Sequence, residues 1–179
     1  STPTETPIVG GNTATPTPTN THTPTATPTP TPQAKLMINE IIANPDTDWN
    51  GDGRINERDR GVEICNFTAA TIDFDDEYWV SFNGLASDTF NGILAPNRCF
   101  VAWYELAGEN FRPATTGGTV RLIGPSGIAD TFTYLAAPYG RCIGRFPDSA
   151  AWTWLSRCSP GRSNQYWQTV ATPTPTATP

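Results

Sequence analysis

Two tracts of alternating threonine and proline bound the part of this chain that can fold. Eight of the 18 prolines lie in residues 1–32, and three more lie in residues 171–179. Such tracts have no apolar periodicity, so they cannot bury enough surface to offset the entropy lost on ordering. Because proline favours extended polyproline II, we expect residues 1–34 and 169–179 to be disordered, semi-stiff linkers of the kind found in O-glycosylated stalks. One folded domain is expected at residues 35–168.

Composition narrows the class of this domain. All six tryptophans lie between the two tracts, and no stretch approaches the ~20 apolar residues that a transmembrane helix needs. The net charge of −6 argues against nucleic acid as a partner, because phosphate binding requires a basic face. With neither an initiating methionine nor a signal peptide, the chain is expected to be a piece of a larger protein.

The cysteines favour two disulfides. There are four, none is in a Cys-x-x-Cys pair, and the one histidine, His22, lies in the first linker, so a zinc site is not expected. Stalk-like linkers suggest an oxidising compartment. Three pairings are possible. We favour the pairing in which both disulfides join cysteines that are neighbours in sequence. Four free buried thiols in a cytosolic protein remain the alternative. The favoured pairs are Cys65–Cys99 and Cys142–Cys158.

Short strands follow one another along the domain. In the segment GVEICN, Val62 and Ile64 share one face and Glu63 and Cys65 the other. Turn signals such as Pro-Gly and Asn-Gly recur every 8–12 residues, which indicates an antiparallel sandwich or barrel. The strands are predicted at 36–42, 61–66, 72–82, 89–94, 99–104, 119–123, 128–134, 141–146 and 152–155.

Two further features of local structure are predicted. The stretch GPSGIADTFTY indicates a hairpin in which Val120 and Leu122 pair with Ile128 and Phe132. Residues 101–112 are the one segment that could contain a helical turn.

The sharpest local signal is the run DWNGDGRINERD at residues 48–59. A twelve-residue calcium loop places oxygen ligands at positions 1, 3, 5, 7, 9 and 12, and a glycine at position 6 where the chain turns with positive φ. In this run Gly53 falls at position 6, and Ile55 falls at position 8, where we expect it to point inward. The ligand positions are held by Asp48, Asn50, Asp52, the backbone carbonyl of Arg54, Asn56 and Asp59.

This loop resembles those of EF-hand modules and, more closely, of dockerin modules, so Ca²⁺ is the expected ion. It departs from them in two ways: Asp59 replaces the longer glutamate, and Pro45 and a strand flank the loop instead of helices. The alternative is a polar surface connector, since Asn, Gly and Asp are ordinary turn residues. A second acidic run, residues 73–77, fits no ligand spacing and is expected to be a solvated strand end.

Three segments in a fixed order suggest a family. The domain opens with MINEIIANP at 37–45, continues through the acidic loop into GVEICN, and closes with GRFPD at 144–148, Trp152 and SPGRSN at 159–164. This series resembles the bacterial lamin-tail domain over about residues 36–167.

The resemblance implies an immunoglobulin-like antiparallel β-sandwich. It further implies an accessory module without catalysis of its own, attached to secreted or surface-bound bacterial proteins. The sequence departs from that family at Ser149, where a glycine is usual. Glu40 and Glu63 would lie on adjacent strands, contacting the calcium loop or capping turns, and Asn164 would hydrogen-bond the backbone near the last hairpin.

Catalytic groups are scarce in the domain. With His22 in a linker, no Ser–His or Cys–His pair can form there. A small hydrolase that uses two carboxylates is a minor alternative. We therefore expect a non-catalytic extracellular or cell-surface module, structural, adhesive or tethering in kind. It would be a monomeric bead within a longer chain, with a protein or glycan partner that the sequence does not identify.

A carbohydrate-binding module is the main alternative, because exposed aromatic rings stack on sugars. Trp79 and Trp103 lie in apolar strands and are expected in the core. Trp152 and Trp154 share a strand face, and we favour core packing over an exposed platform with Trp49.

Overall fold

The computed structural model of the protein describes residues 35–104 and 111–164. The predicted linkers and Trp167 lie outside these ranges. Of residues 101–112, where a helical turn was predicted, residues 101–103 belong to a strand, and residues 105–110 lie outside the described ranges. Eleven strands are formed by the described residues. They are β1 (Leu36–Ile42), β2 (Gly61–Asn66), β3 (Ile72–Asp73), β4 (Trp79–Phe82), β5 (Leu85–Ala86), β6 (Ile93–Leu94), β7 (Arg98–Trp103), β8 (Gly118–Gly124), β9 (Gly127–Tyr134), β10 (Ile143–Phe146) and β11 (Ala151–Trp154).

The strands pair antiparallel throughout. A five-stranded sheet has the order β11-β10-β1-β2-β7, a four-stranded sheet the order β5-β4-β8-β9, and β3 pairs with β6. The all-β sandwich predicted from the sequence is therefore confirmed. Over the described ranges no helix is long and apolar enough to cross a membrane, and the one helical segment is a 3-10 turn, Glu57–Asp59.

The central strands β1 and β2 are buried along their whole length. One face supplies apolar side chains such as Ile38 and Ile64 to the main core, where Val80 and Leu122 of the second sheet are also buried. The other face carries Glu40, Glu63 and Cys65, so the centre of this sheet has an apolar side and a side with two carboxyl groups, both shielded from water.

The predicted strand 72–82 is broken in two by a turn. Asp75 and Asp76 have φ of 39° and 58°, and the N–H of Glu77 donates to the carbonyl of Phe74 (2.7 Å). Aspartate tolerates the left-handed region better than most residues. The acidic run therefore forms an exposed turn, and the ladder resumes at Trp79.

The hairpin of β8 and β9 forms, but half of its predicted register is wrong. Val120 faces Phe132 as expected, whereas Leu122 faces Asp130. A bulge after Leu122 shifts the pairing, so that Ile128 faces Ile123. An extra residue of this kind is not visible in an alternating pattern.

A buried ion pair joins the two sheets. Arg145 on β10 donates from Nη2 to Oδ2 of Asp130 on β9 (3.0 Å), and from Nε to the carbonyl of Ile38 (2.9 Å). The N–H of Ile38 in turn donates to Asp130 (3.0 Å). The guanidinium also lies 4.8 Å from the ring centroid of Trp152.

Candidate functional site

The acidic loop, residues 48–59, folds around the carboxylate of Asp48. Its Oδ1 accepts hydrogen bonds from the backbone N–H groups of Gly51 (2.8 Å) and Asp52 (3.1 Å), and its Oδ2 accepts one from Gly53 (2.8 Å). Gly51 and Gly53 have φ of 79° and 84°, in a region that favours glycine. The first predicted ligand is therefore held at the centre of a tight turn.

Asp59 closes the same loop from its far end. Its Oδ1 accepts from the N–H groups of Trp49 (2.7 Å) and Asn50 (3.1 Å), and its Oδ2 accepts from that of Asn56 (2.8 Å). Asn56 caps the 3-10 turn by accepting from the N–H of Arg58 (2.7 Å). Asp59 is fully buried, so its carboxylate ties the two ends of the loop together.

The donors of this loop fit calcium in kind. Ca²⁺ takes six to eight oxygen ligands, and the six predicted positions offer three carboxylates, two side-chain amides and one backbone carbonyl. Asp48 and Asp59 each accept three backbone hydrogen bonds. A carboxylate has roughly four acceptor sites, so each keeps part of its capacity for an ion. Asp52 is exposed to solvent. In the described ranges the three carboxylates do not form a group with all ligand atoms within 4.8 Å of one another.

The predicted inward orientation of Ile55 is wrong. Its side chain is 55% exposed. The chain enters the 3-10 turn directly after Ile55, and the capping box of Asn56 and Asp59 anchors this part of the loop. A charged residue therefore fixes the loop where an apolar one was expected.

A pair of buried glutamates lies on the polar side of the five-stranded sheet. Glu40 on β1 and Glu63 on β2 are cross-strand partners with no exposed surface. The N–H of Ser159 donates to Glu40 Oε1 (2.9 Å), and the N–H of Gly161 donates to Glu63 Oε2 (2.5 Å). Glu63 Oε1 also accepts from Asn39 Nδ2 (3.0 Å). The glutamates therefore hold the C-terminal segment, residues 158–164, and not the acidic loop.

Asn164 fastens the end of this segment. Its Nδ2 donates to the carbonyls of Asn39 (3.0 Å) and Arg145 (2.9 Å), and its N–H donates to Oδ1 of Asp148 (2.9 Å). Ser149 follows with φ of 66°, a backbone conformation that favours glycine. The motifs GRFPD and SPGRSN thus meet in space.

Burial sets the protonation of both glutamates. It raises the pKa of Glu40 to about 8 and that of Glu63 to about 7. Hydrogen bonds donated by Ser159 to Glu40, and by Asn39 and Gly161 to Glu63, act in the opposite direction, but burial has the larger effect. Around neutral pH this pair therefore carries less than two negative charges.

Each glutamate also lies against a disulfide. The structure pairs Cys65 with Cys99 and Cys142 with Cys158, the connectivity favoured from the sequence. A carboxylate oxygen of Glu63 lies within 4.8 Å of the first pair of sulfurs, and one of Glu40 lies as close to the second pair. Disulfide sulfurs are not thiolates, so neither group is a thiolate metal site.

The tryptophans within the described ranges are all half-buried. Trp152 stacks on Phe132 with centroids 3.7 Å apart, and Trp154 packs against the main core. Trp49 and Trp103 pack on a second apolar cluster beside Cys142–Cys158. This arrangement favours core packing over an exposed aromatic platform.

Sequence reasoning missed the contacts made by the C-terminal segment. Glu40 and Glu63 were expected on adjacent strands, but Ser159 and Gly161 were not recognised as their partners. The available signal was that both glutamates lie in strands whose apolar neighbours place them inside the fold. Because a buried carboxylate needs hydrogen-bond donors, a further segment of the chain had to supply them.

Fold and site together define an all-β, disulfide-bonded protein with an acidic loop and a buried glutamate pair. Comparison with protein-family models, with curated proteins and with solved structures gives no match.

Proposed function

We propose that this protein is a non-catalytic extracellular module, structural or tethering in kind and related to lamin-tail domains, with one structural Ca²⁺ bound by the loop 48–59. Asp48, Asn50, Asp52 and Asp59 would supply side-chain oxygens, together with Asn56 and the carbonyl of Arg54. The ion would offset the mutual repulsion of the three carboxylates and rigidify the loop.

The observation that carries this proposal is the turn around Asp48. Three consecutive N–H groups, of Gly51, Asp52 and Gly53, point at one carboxylate, so the first half of the loop is tightly curled. The side-chain oxygens of Asp48 and Asn50 both accept from the N–H of Asp52, so the oxygens at positions 1 and 3 converge. Turn preference alone does not require oxygen donors at all six ligand positions with a glycine at position 6.

Two further features support the extracellular setting and the absence of catalysis. Two disulfides are compatible with an oxidising compartment. The buried acids Glu40 and Glu63 are hydrogen-bonded to the protein's own backbone, as groups that hold the fold together. A protein or glycan partner and a bead-like place in a longer chain belong to this proposal.

Thermal unfolding of the full chain with 10 mM Ca²⁺ or with EDTA, under non-reducing conditions, tests the calcium site. For a Kd of roughly 0.1–1 mM, calcium should stabilise the fold by about 1.4–2.7 kcal/mol, a rise in Tm of several degrees. The variant D48N/D52N should lose this rise. The charge-matched variant D73N/D75N, in the exposed acidic turn, should keep it. An intact wild-type fold whose Tm does not respond to calcium would refute the site.

A further inference from the structure

The C-terminal segment, together with Arg157 and with Trp49 of the acidic loop, lines a cavity of about 370 Å³. Its walls include Trp49, Pro160 and Ser163, and two arginines, Arg157 and Arg162. Both arginines are exposed, and no acidic side chain in the described ranges pairs with either. On a protein with a net charge of −6, two unpaired guanidinium groups in one cavity form a local positive site.

A second cavity, of about 520 Å³, adjoins the first and shares Arg162 and Ser163 with it. Its lining adds Arg98, which also has no acidic partner among the residues described. One carboxylate, Asp148, lies in this wall, and its Oδ1 already accepts from Asn39 and Asn164. Three arginines thus face two adjacent cavities.

The wall that carries these arginines is built rigidly. The disulfide at Cys158 anchors its start, and Glu40 and Glu63 bind Ser159 and Gly161 from below. A backbone fixed before binding loses little entropy when a ligand arrives.

We propose that these two cavities bind an acidic oligosaccharide with a carboxylate or sulfate on successive sugar units. The guanidinium fork matches planar or tetrahedral oxyanions. The parts of Trp49 and Pro160 that line the first cavity are apolar, which suits the C–H face of a sugar ring. Two cavities that share Arg162 suit a repeating chain better than a single small anion. This inference does not depend on calcium.

Binding of two charged octasaccharides to the full chain, one of uronate units and one sulfated, tests the proposal by calorimetry at low salt. One of them should bind, more weakly as salt rises, while a neutral octasaccharide should not. R157Q/R162Q should weaken binding at least tenfold, whereas R121Q, which removes an arginine from β8 in the other sheet, should not. R98Q should weaken the octasaccharide but not the corresponding disaccharide.

Three results would overturn the proposal. The first is no binding of either charged octasaccharide at millimolar concentration. The second is equal binding by R157Q/R162Q, provided its Tm matches wild type. The third is equal affinity for single-stranded DNA of the same charge, which would mark a nonspecific polyanion surface. The calcium test uses D48N/D52N, and the binding test uses variants of Arg98, Arg157 and Arg162. Either proposal can therefore fail without affecting the test of the other.

Discussion

At the scale of single residues, two glutamates define the polar side of the central sheet. A carboxylate with no exposed surface is costly unless donors reach it, and the backbone of Ser159 and Gly161 supplies them for Glu40 and Glu63. The same burial raises both pKa values. Each glutamate therefore links the position of the C-terminal segment to pH.

Stability should fall as pH rises from 5 to 9. The pKa of Glu40 is about 8 in the fold against an ordinary value of 4.5 for glutamate, so the folded state binds more protons between these values. The stabilising contribution is fully present below pH 4.5 and is lost as pH rises through about 8, with Glu63 contributing up to about pH 7. Tm measured across this range should decline in wild type.

The variant E40Q should decline less steeply, because its amide mimics the protonated acid at every pH. E77Q, in the exposed acidic turn, should follow the wild-type curve. A wild-type Tm that does not change with pH, or an E40Q curve parallel to it, would contradict this assignment.

At the scale of elements, alternation and turn residues predicted most strands but not their interruptions. β1 and β2 were predicted at their observed bounds because apolar side chains mark them. The strand expected at 72–82 failed at Asp75 and Asp76, whose left-handed backbone breaks the ladder. In the hairpin, Leu122 was assigned Ile128, the partner that a bulge gives to Ile123. Neither the left-handed turn nor the position of a bulge is encoded in a period-two pattern.

The two disulfides should contribute unequally to stability. Cys65–Cys99 spans 34 residues and Cys142–Cys158 spans 16. Chain-entropy estimates give about 4 and about 3 kcal/mol for loops of these lengths. Urea unfolding of C65A/C99A and C142A/C158A should show losses of that order. The opposite ranking would mean that anchoring the C-terminal segment outweighs loop length.

At the scale of the whole molecule, the sequence indicates contacts between residues that are close along the chain, and not contacts between residues that are distant. The acidic loop could be singled out because its oxygen donors follow one local template, and its binding of calcium stays a prediction. The contact between Glu40 and Ser159 joins residues 119 positions apart. The same contact holds the C-terminal segment where Arg157 and Arg162 line one cavity with Trp49. Such contacts depend on the packing of the complete sandwich.

Of the polar contacts in the fold, the ion pair between the two sheets should lower the free energy of unfolding most when it is broken. Arg145 is only 9% exposed, and Asp130 is its charged partner on the other sheet. In D130N the guanidinium would remain buried without a counterion, which typically costs about 3–5 kcal/mol. Urea unfolding should show this loss, whereas D88N, which alters an exposed carboxylate, should change stability by less than about 0.5 kcal/mol. If the two variants were equally stable, the apolar core alone would hold the sheets together, and the ion pair would serve only to align them.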